Sequence, residues 1–317
     1  MGSLTRVFSP PTVLAAVLAS GLCHPAAAQQ PGQETFSSPQ GAVTALLRAV
    51  EGNDEAAMLH ILGSDARRIV SSGDPVEDAS NRANFVQRYR QMHRLVREPD
   101  GTTGLYVGAE NWPMPIPLVR TGRSWYFDTD AAKREILYRR IGRNELSAIR
   151  VCEELAVAEK EYHGLRGVYA EKIYSDANRR NGLYWQAAPG ESRSPIGPLV
   201  ASAVSEGYAT DRSGAPTPYR GYYYHVLLRQ GSSAPGGARP YLTGGKMTGG
   251  FAFVAYPAEY RSSGVMTFVV SAAGVVYQKD LGKKTAQIAA AMKSYDPDSS
   301  WQRADAEAPA AALQPHG

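Results

Sequence analysis

A long, uninterrupted helical pattern in the middle of the chain constrains the fold more than any other feature. Apolar residues recur at helical spacing through residues 141–162, and no Gly-, Ser- or Pro-rich stretch divides them. The stripe consists of Ala148, Val151, Leu155, Ala158 and Tyr162. Because a helix transmits geometry where a coil does not, we expect two domains that meet near residues 140–147 in a fixed orientation.

Length and composition agree with this plan and exclude several classes of protein. The chain has 317 residues, which suggests about two domains. A hydrophobic content of 43% and a charged content of 20% exclude a wholly disordered, collagen-like or coiled-coil protein. The formal net charge of +4 is small and evenly spread, so we expect no nucleic-acid partner.

The N-terminus has the pattern of an export signal. Arg6 precedes an apolar stretch at residues 12–22, and small residues lead up to Ala28. We therefore expect residues 1–28 to be a signal peptide and the mature protein to be periplasmic or secreted. Cys23 follows Leu22, where a lipoprotein signal requires a small residue, so lipidation is not expected. The rest of the chain has no second run of about 18 apolar residues, which predicts no transmembrane segment in the mature chain.

The first half of the mature chain, residues 36–140, reads as helices followed by a sheet. Val43, Leu46, Leu47 and Val50 form the apolar stripe of a first helix. A later helix contains Phe85, Tyr89 and Met92 and is predicted to run to about Val96. Strand-like segments follow at residues 105–107, 116–119 and 125–127. This order predicts an α+β domain in which the helices wrap a curved antiparallel sheet like a cone.

The second half, residues 141–302, combines the long helix with an antiparallel sheet of roughly four strands. These strands are predicted at residues 222–228, 251–256, 265–270 and 275–281. The helical stripe should pack on one face of the sheet, which keeps the fold class α+β. The Ala- and Pro-rich residues 303–317 are predicted to be a disordered tail.

Five sequence segments resemble an exported bacterial family known as domain of unknown function 2950. They are residues 116–128, 139–146, 250–258, 264–270 and 276–282. The resemblance extends over roughly residues 36–302 and implies no known activity.

Two further resemblances concern the halves separately. The first half is similar in plan to the cone-shaped fold of ketosteroid isomerase and nuclear transport factor relatives, which implies a cavity between helices and sheet. The second half resembles the globular head of type II pilins and pseudopilins, with an element of pilin-like spacing from Tyr162 to Tyr169. The chain has neither a prepilin cleavage site nor the apolar helix that follows one, so an ordinary pilus subunit is excluded.

A search for catalytic or metal-binding motifs finds none, so no cofactor and no metal are expected. His60, His93, His163 and His225 do not pair at helical spacing, and no zinc or calcium spacing is present. The glycine-rich residues 244–250 lack the Ser or Thr of a phosphate loop, which favours a hairpin connection. Cys152 lies inside the helical stripe, which favours a small buried side chain over a reactive thiol.

Four residues of the first half could form a site if the cone contains a cavity. Tyr89, Tyr106 and Asp128 could supply a hydroxyl donor and a carboxylate base, as in a ketosteroid-isomerase-like cavity, and Trp112 could lie at its rim. The alternative is that all four are ordinary core and sheet residues. The aromatic and proline-rich residues 112–115 could instead bind a partner.

In the second half, Tyr222 and Tyr224 belong to a run of three tyrosines. They could alternate across the sheet as packing residues or form a platform for a carbohydrate or a peptide. Arg139, Arg140 and Arg143 lie on a helix whose other face is apolar. A solvated surface or a set of ion pairs between domains is therefore expected.

Three functional hypotheses remain open. The first is a non-catalytic envelope protein that binds another envelope protein, which the missing catalytic motif favours. The second is a small-molecule binder or enzyme that uses the cone cavity; it requires an apolar pocket and a carboxyl group of raised pKa. The third is an accessory factor of a pilus or secretion system, which the pilin resemblance suggests.

Overall fold

The computed structural model describes residues 29–187, 191–206, 208 and 217–304. The predicted signal peptide, residues 1–28, lies outside these ranges. The described helices are α1 (Pro39–Glu51), α2 (Glu55–Leu62), α3 (Arg67–Val70), α4 (Pro75–Gln91), α5 (Thr129–Arg166), α6 (Gly197–Ser205) and α7 (Thr285–Ala290).

The strands fall into a larger sheet for each half of the chain and several short pairings. In the first half they are β1 (His93–Arg97), β2 (Thr103–Val107), β3 (Trp112–Pro113), β4 (Leu118–Thr121) and β5 (Ser124–Phe127). In the second half they are β6 (Lys172–Tyr174), β7 (Gly182–Tyr184), β8 (Tyr222–Leu227), β9 (Arg229–Gln230), β10 (Arg239–Pro240), β11 (Leu242–Thr243), β12 (Lys246–Met247), β13 (Ala252–Pro257), β14 (Met266–Ser271), β15 (Val276–Asp280), β16 (Ser294–Tyr295) and β17 (Gln302–Arg303). The predicted α+β fold class is confirmed.

Helix α1 contains the predicted apolar stripe, of which Val43, Leu46 and Val50 are buried and Leu47 is half-buried. The Ser38 hydroxyl accepts a hydrogen bond from the Gly41 amide, and Pro39 occupies the first turn, where its missing N–H is no loss. The buried residues of the helix lie on one stripe: Ala42, Val43, Leu46, Ala49 and Val50. Their burial is what holds so short a helix in place, since isolated helices of this length are marginal in water.

Helix α4 ends earlier than the sequence predicts. The prediction continued the helix to about Val96, whereas the last helical residue is Gln91 and Met92 is fully extended, with φ −166° and ψ 139°. The next five residues form strand β1 and pair with β2 in antiparallel register. Tertiary pairing has therefore overridden a helical pattern that was continuous in sequence.

The sheet of the first half has the order β1–β2–β4–β5, with β3 beside β2. Helices α1, α2 and α4 pack against it, and their apolar side chains join those of the sheet in one core. We call residues 36–140 the N-terminal unit and residues 141–302 the C-terminal unit. The core of the C-terminal unit is a separate cluster, although the domain boundaries themselves stay a prediction.

Helix α5 is 38 residues long and runs without interruption from one unit into the other. It begins at an Asp128 cap, whose carboxylate accepts a hydrogen bond from the Ala131 amide. It ends at Gly167, whose φ of +70° is the left-handed conformation that glycine adopts at least cost. All five residues of the predicted stripe are buried, as is Cys152, so both predictions are confirmed.

The sheet of the C-terminal unit has five strands in the order β17–β15–β14–β13–β8. The four predicted strands are present, and helix α5 packs on β13 and β14. The fifth strand corrects a prediction: residues 303–317 were expected to be a disordered tail, yet Arg303 pairs with Tyr277 and the Ala304 amide donates to the Val276 carbonyl. Residues 305–317 lie outside the described part of the chain.

The glycine-rich segment forms the predicted hairpin. Strands β11 and β12 pair across Gly244 and Gly245, whose φ values are +60° and +74°. Two consecutive positive φ angles define the turn that matches the twist of a two-residue hairpin.

Asp74 connects the two units from a fully buried position. Its Oδ1 accepts hydrogen bonds from the Val76 and Glu77 amides and so caps helix α4. Its Oδ2 accepts from the Tyr208 hydroxyl at 2.8 Å and from the Gly221 amide at 2.9 Å, both in the C-terminal unit. One carboxylate therefore satisfies donors on both sides of the interface.

Helix α5 contributes further contacts between the units. Buried Arg140 donates to the Arg68 carbonyl at 2.5 Å, and the Ser262 hydroxyl donates to the same oxygen at 3.3 Å. Asn144 donates to the Glu77 carboxylate of the N-terminal unit at 3.3 Å and to the Ser263 carbonyl of its own unit at 3.1 Å. These bonds hold helix α3 against the C-terminal unit beside the middle of α5.

Candidate functional site

The N-terminal unit contains a cavity of about 500 Å³. It lies between helices α1 to α5 and strands β2 and β3, and exposed Arg88 and Arg139 lie at its rim. The volume is within the range of about 300–1,000 Å³ that is typical of small-molecule sites. We call it the cone cavity.

The walls of the cone cavity are mostly apolar. They are formed by Leu46, Val50, Met58, Leu62, Ile69, Val70, Phe85, Val107, Trp112, Met114, Pro115, Ile116 and Ile136. Several of these side chains, such as Leu46 and Val107, also belong to the core of the unit. The core is therefore continuous with the cavity wall, so the cavity needs no side-chain movement to present an apolar surface.

The remaining lining residues are polar and mainly cationic. They are Asp78, Asn81, Arg82, Asn84, Arg88, Glu135, Arg139, Arg140 and Arg143. Five arginines against two carboxyl groups leave an excess of positive charge, which favours an anion at this edge.

Most of these arginines are held by the protein itself. Arg82 donates to the Asn53 side chain at 2.9 Å, and Arg140 is buried with its guanidinium on carbonyl oxygens of α3. Arg139 and Arg143 form ion pairs with Glu135 and Glu77 at 2.6 and 2.8 Å.

Arg88 differs from the other four. Among the residues that the structure describes, none forms a hydrogen bond or ion pair with its side chain. Its guanidinium is exposed at the rim and retains all of its donors. It is therefore the cavity arginine best able to bind an anion from outside.

Asp78 is the carboxyl group that a catalytic site in this cavity would use. It is 5% exposed, and burial raises its pKa, while hydrogen bonds from Ser72 and the charge of Arg140 act in the opposite direction. Both of its oxygens accept from the Ser72 amide, at 2.9 and 3.2 Å. The carboxylate thus has a structural partner in the loop before α4.

The hydroxyl donor that would complete an acid–base pair is not in the wall. None of the described residues lining the cavity is a Ser, Thr or Tyr. An apolar cavity with a buried carboxyl group is present, but the arrangement of carboxylate and hydroxyl that isomerase chemistry needs is not assembled in it.

Of the four candidates in the first half, the structure places only Trp112 in the cavity wall. Tyr89 is buried in α4 and stacks on the His93 ring at 3.8 Å. Tyr106 donates to Glu98 at 2.9 Å, outside the cavity lining. Asp128 caps helix α5. The structure therefore does not bring these three residues together with Trp112 in this cavity, because each has a local partner outside its wall.

Tyr222 and Tyr224 are both on strand β8 but have different environments. Tyr222 is fully buried, and its hydroxyl donates to the Met266 carbonyl at 3.0 Å. Tyr224 lines a second cavity, and its buried hydroxyl has no hydrogen-bond partner among the described residues. Tyr222 is a packing residue, whereas Tyr224 borders open space.

Sequence reasoning missed the charged residues of the cavity. Asp78, Arg82 and Arg88 are on α4, whose abundant charges look like an ordinary solvated face. The available signal was the spacing of Asp78 and Arg82, which places both on one face of the helix. Arg140 and Arg143 were expected to be solvated or to form ion pairs between domains; Arg140 is buried at the unit interface, and Arg143 pairs with Glu77.

The described residues contain no group of three or more His, Cys, Asp or Glu side chains placed to hold a metal ion. Within the same ranges, no helix combines the length and the apolar character needed to cross a membrane.

Fold and cavity together define the class: an α+β protein with a ligand-sized, arginine-edged cavity between helices and sheet. The comparison with family models gives the family. The model described as Protein of unknown function (DUF2950) matches residues 33–304, and the chain belongs to that family. No curated protein and no solved structure matches the chain. The resemblance of the C-terminal half to pilin heads stays a prediction.

Proposed function

We propose that the protein is a non-catalytic, exported binding protein whose cone cavity takes an amphipathic anion. The ligand class is an apolar chain or ring system with one carboxylate, sulfonate or phosphate group. The observation that carries the proposal is the division of the cavity into apolar walls and an arginine-rich edge. Burial of the apolar part supplies affinity, and the cationic edge fixes the orientation.

Binding is favoured over catalysis by what surrounds Asp78. An acid–base reaction would need a hydroxyl partner for Asp78, whose two oxygens share the Ser72 amide, and none of the described residues that line the cavity is a Ser, Thr or Tyr. The arginines other than Arg88 are held by carbonyl, amide or carboxylate groups of the protein. They are positioned to create an electrostatic field rather than to move during a reaction.

Export is the second part of the proposal and rests on the sequence alone. The apolar residues 12–22 and the small residues before Gln29 support cleavage after Ala28 and a location in the periplasm or outside the cell. Anionic lipids, ionised fatty acids and anionic surfactants are ligands of this class.

The test uses dansyl-labelled undecanoate, an amphipathic anion whose fluorescence rises in an apolar site. The unaltered protein should bind it saturably at one site. Val70→Trp places a large ring in the cavity wall and should weaken binding at least tenfold, by about 1.4 kcal/mol or more. Val157→Trp is the matched control, because Val157 is 56% exposed on the outer face of α5.

The charge requirement is tested separately. Arg88→Gln should weaken binding of the undecanoate probe about tenfold, the effect of one charge-assisted hydrogen bond, while Arg97→Gln, a change at an exposed residue outside the cavity lining, should not. The uncharged amide of the same probe should bind more weakly than the carboxylate. Equal binding of amide and carboxylate would contradict an anion site, and undiminished binding by Val70→Trp would exclude the cavity.

A further inference from the structure

The C-terminal unit contains a second cavity, of about 720 Å³, which we call the edge groove. Four consecutive residues of strand β8 line it: Tyr223, Tyr224, His225 and Val226. Successive side chains of a strand point to opposite faces of the sheet. A cavity that contacts all four therefore follows the edge of the sheet rather than either face.

Strand β8 is the edge strand on this side, because β13 is its only partner strand among the residues that the structure describes. The Ala258 amide donates to the Gly221 carbonyl directly opposite, which fixes the register of the hydrogen bonds. In an antiparallel pair the bonded residues alternate, so Tyr223 and His225 direct their backbone groups toward β13. Tyr224 and Val226 direct theirs away from the sheet.

Both ends of this outer edge are closed by the protein. Tyr222 exchanges backbone hydrogen bonds with Tyr219, and the Leu228 amide donates to the Lys293 carbonyl. Between these ends, the outward N–H and C=O groups of Tyr224 and Val226 have no partner in the described ranges. Such a row of free backbone groups is a template for pairing with another chain.

The Tyr224 hydroxyl is a further unsatisfied group on the same segment. It is buried and has no hydrogen-bond partner among the described residues. Burial raises the pKa of this hydroxyl well above its usual value, so it stays protonated and retains a proton to donate. Buried polar groups without partners are uncommon in native proteins.

The opposite wall of the edge groove is mainly apolar. It includes Ile173 of β6 and Leu199 and Val200 of α6, and the charged residues Glu171 and Lys172 also line the groove. Strand β6 comes within 8 Å of β8 between Cα atoms without pairing with it, whereas two strands that flank a third are about 9.6 Å apart, so β6 must shift outward where it approaches β8 to admit an added strand. A chain lying along β8 would then have backbone partners on one side and apolar side chains on the other.

Lys293 gives the groove a positive end. It lies where β8 finishes, since its carbonyl accepts from the Leu228 amide, and its side chain is exposed with no ion-pair partner among the described residues. An acidic residue of the bound chain would be attracted to this end.

We propose that an extended segment of a partner protein binds in the edge groove as an added antiparallel strand on β8. It exchanges backbone hydrogen bonds with Tyr224 and Val226, packs apolar side chains against α6 and places an acidic residue beside Lys293. Strand addition of this kind takes affinity from the main chain and specificity from the flanking pockets. The site is independent of the cone cavity.

The experiment selects peptides from a random-peptide phage library on the full mature protein. The selected peptides are then made synthetically with a fluorescent label. They should be apolar at alternate positions with an acidic residue at one end. N-methylation at the residues paired with Tyr224 and Val226 should weaken binding about tenfold or more, while N-methylation of the residue between them should not.

Protein variants provide the second readout. Val226→Pro removes one outward N–H at an edge position where proline is tolerated, and should weaken peptide binding about tenfold; Val226→Thr is the control that keeps the N–H. Lys293→Glu should reduce binding of acidic peptides without affecting the fold, which keeps the test decisive if the proline variant does not fold.

Amide hydrogen exchange distinguishes strand addition from simple side-chain contact. A bound peptide should protect the amides of Tyr224 and Val226 and leave those of Tyr223 and His225 unchanged, because the latter are already bonded to β13. The proposal is overturned if no peptide is enriched, if N-methylation has no positional effect, or if the Tyr224 and Val226 amides gain no protection.

Discussion

Replacing Glu159 with glutamine should make the stability of the protein much less dependent on pH. Glu159 is fully buried on helix α5 of the C-terminal unit. Its Oε2 accepts a hydrogen bond from the Ala170 amide at 2.9 Å, and its Oε1 has no partner among the described residues. Burial raises the pKa of this carboxyl group to about 8, against an ordinary value of 4.5, and the Ala170 bond offsets only part of that shift.

The sign follows from proton linkage. The carboxyl group of Glu159 binds its proton more tightly in the folded state than in the unfolded state. Its contribution to stability is therefore fully present below the unfolded pKa of 4.5, and it is lost as the pH rises toward the folded pKa of about 8. Each unit of pKa difference corresponds to about 1.4 kcal/mol. From about pH 5 to about pH 8, this one group should lower the free energy of unfolding by about 3–4 kcal/mol.

Glutamine at this position has nearly the shape of the protonated acid and cannot ionise. Near pH 5, Glu159→Gln should therefore be within about 1 kcal/mol of the unaltered protein, and near pH 8 it should be about 3–4 kcal/mol more stable. Glu153→Gln, a change on the exposed face of the same helix, is the control and should follow the unaltered protein at both pH values.

Urea unfolding at both pH values measures the effect. Glu145 and Asp78 also have pKa values raised by burial, so the unaltered protein should lose stability with rising pH for more than one reason. The difference between Glu159→Gln and the unaltered protein isolates Glu159. If both lose stability equally between the two pH values, Glu159 is not held in the buried, half-satisfied environment described above.

Three further changes test the packing, the unit interface and export. Leu155→Ala should cost about 2–5 kcal/mol in urea unfolding, because Leu155 is 1% exposed in the core, and Leu155→Asp should cost more; an unchanged midpoint would mean that α5 does not cover the sheet. Asp74→Ala should lower the free energy of unfolding by about 2–4 kcal/mol, because it removes a helix cap and leaves the buried Tyr208 hydroxyl unpaired. A decrease below about 0.5 kcal/mol would show that this contact between units is not formed. Mass spectrometry of envelope-fraction protein should find Gln29 at the N-terminus, and retention of residues 1–28 would refute export by cleavage after Ala28.

The elements that the sequence predicts best are those with strong local signals. Helix α1 has a serine cap, a first-turn proline and a regular apolar stripe, so local and tertiary preferences agree. The same holds for α5, whose stripe is buried along its C-terminal part. Strands β13 and β14 are mostly apolar because both their faces are covered, and that pattern is visible in the sequence.

The secondary-structure predictions that are wrong concern segments whose structure depends on partners distant in sequence. Residues 93–97 continue a helical pattern but form a strand because β2 offers them a complete ladder. Strand β17 has no apolar alternation, since it is a short, exposed pairing of Gln302 and Arg303 at a sheet edge. Neither segment contains a local signal strong enough to distinguish it from its alternative.

The candidate site was predicted only in outline. A cavity between helices and sheet could be expected from the order of the elements, and Trp112 was placed at it. Asp78 and Arg88 could not be selected, because a charged residue on a helix looks the same whether its face meets solvent or a cavity. Tyr106 and Asp128 do not line this cavity, because Tyr106 donates to Glu98 and Asp128 caps helix α5.

Native mass spectrometry of protein purified from the cell envelope tests the central claim most directly. We expect the unaltered protein to carry one amphipathic anion. Mild organic solvent should release this ligand, and the released ligand should be detected as a negative ion. The Val70→Trp variant, with its cavity filled, should be purified without this ligand, while Val157→Trp should retain it. An unaltered protein that binds no such anion, or a Val70→Trp variant that retains it in full, would contradict the assignment of the cone cavity as the binding site.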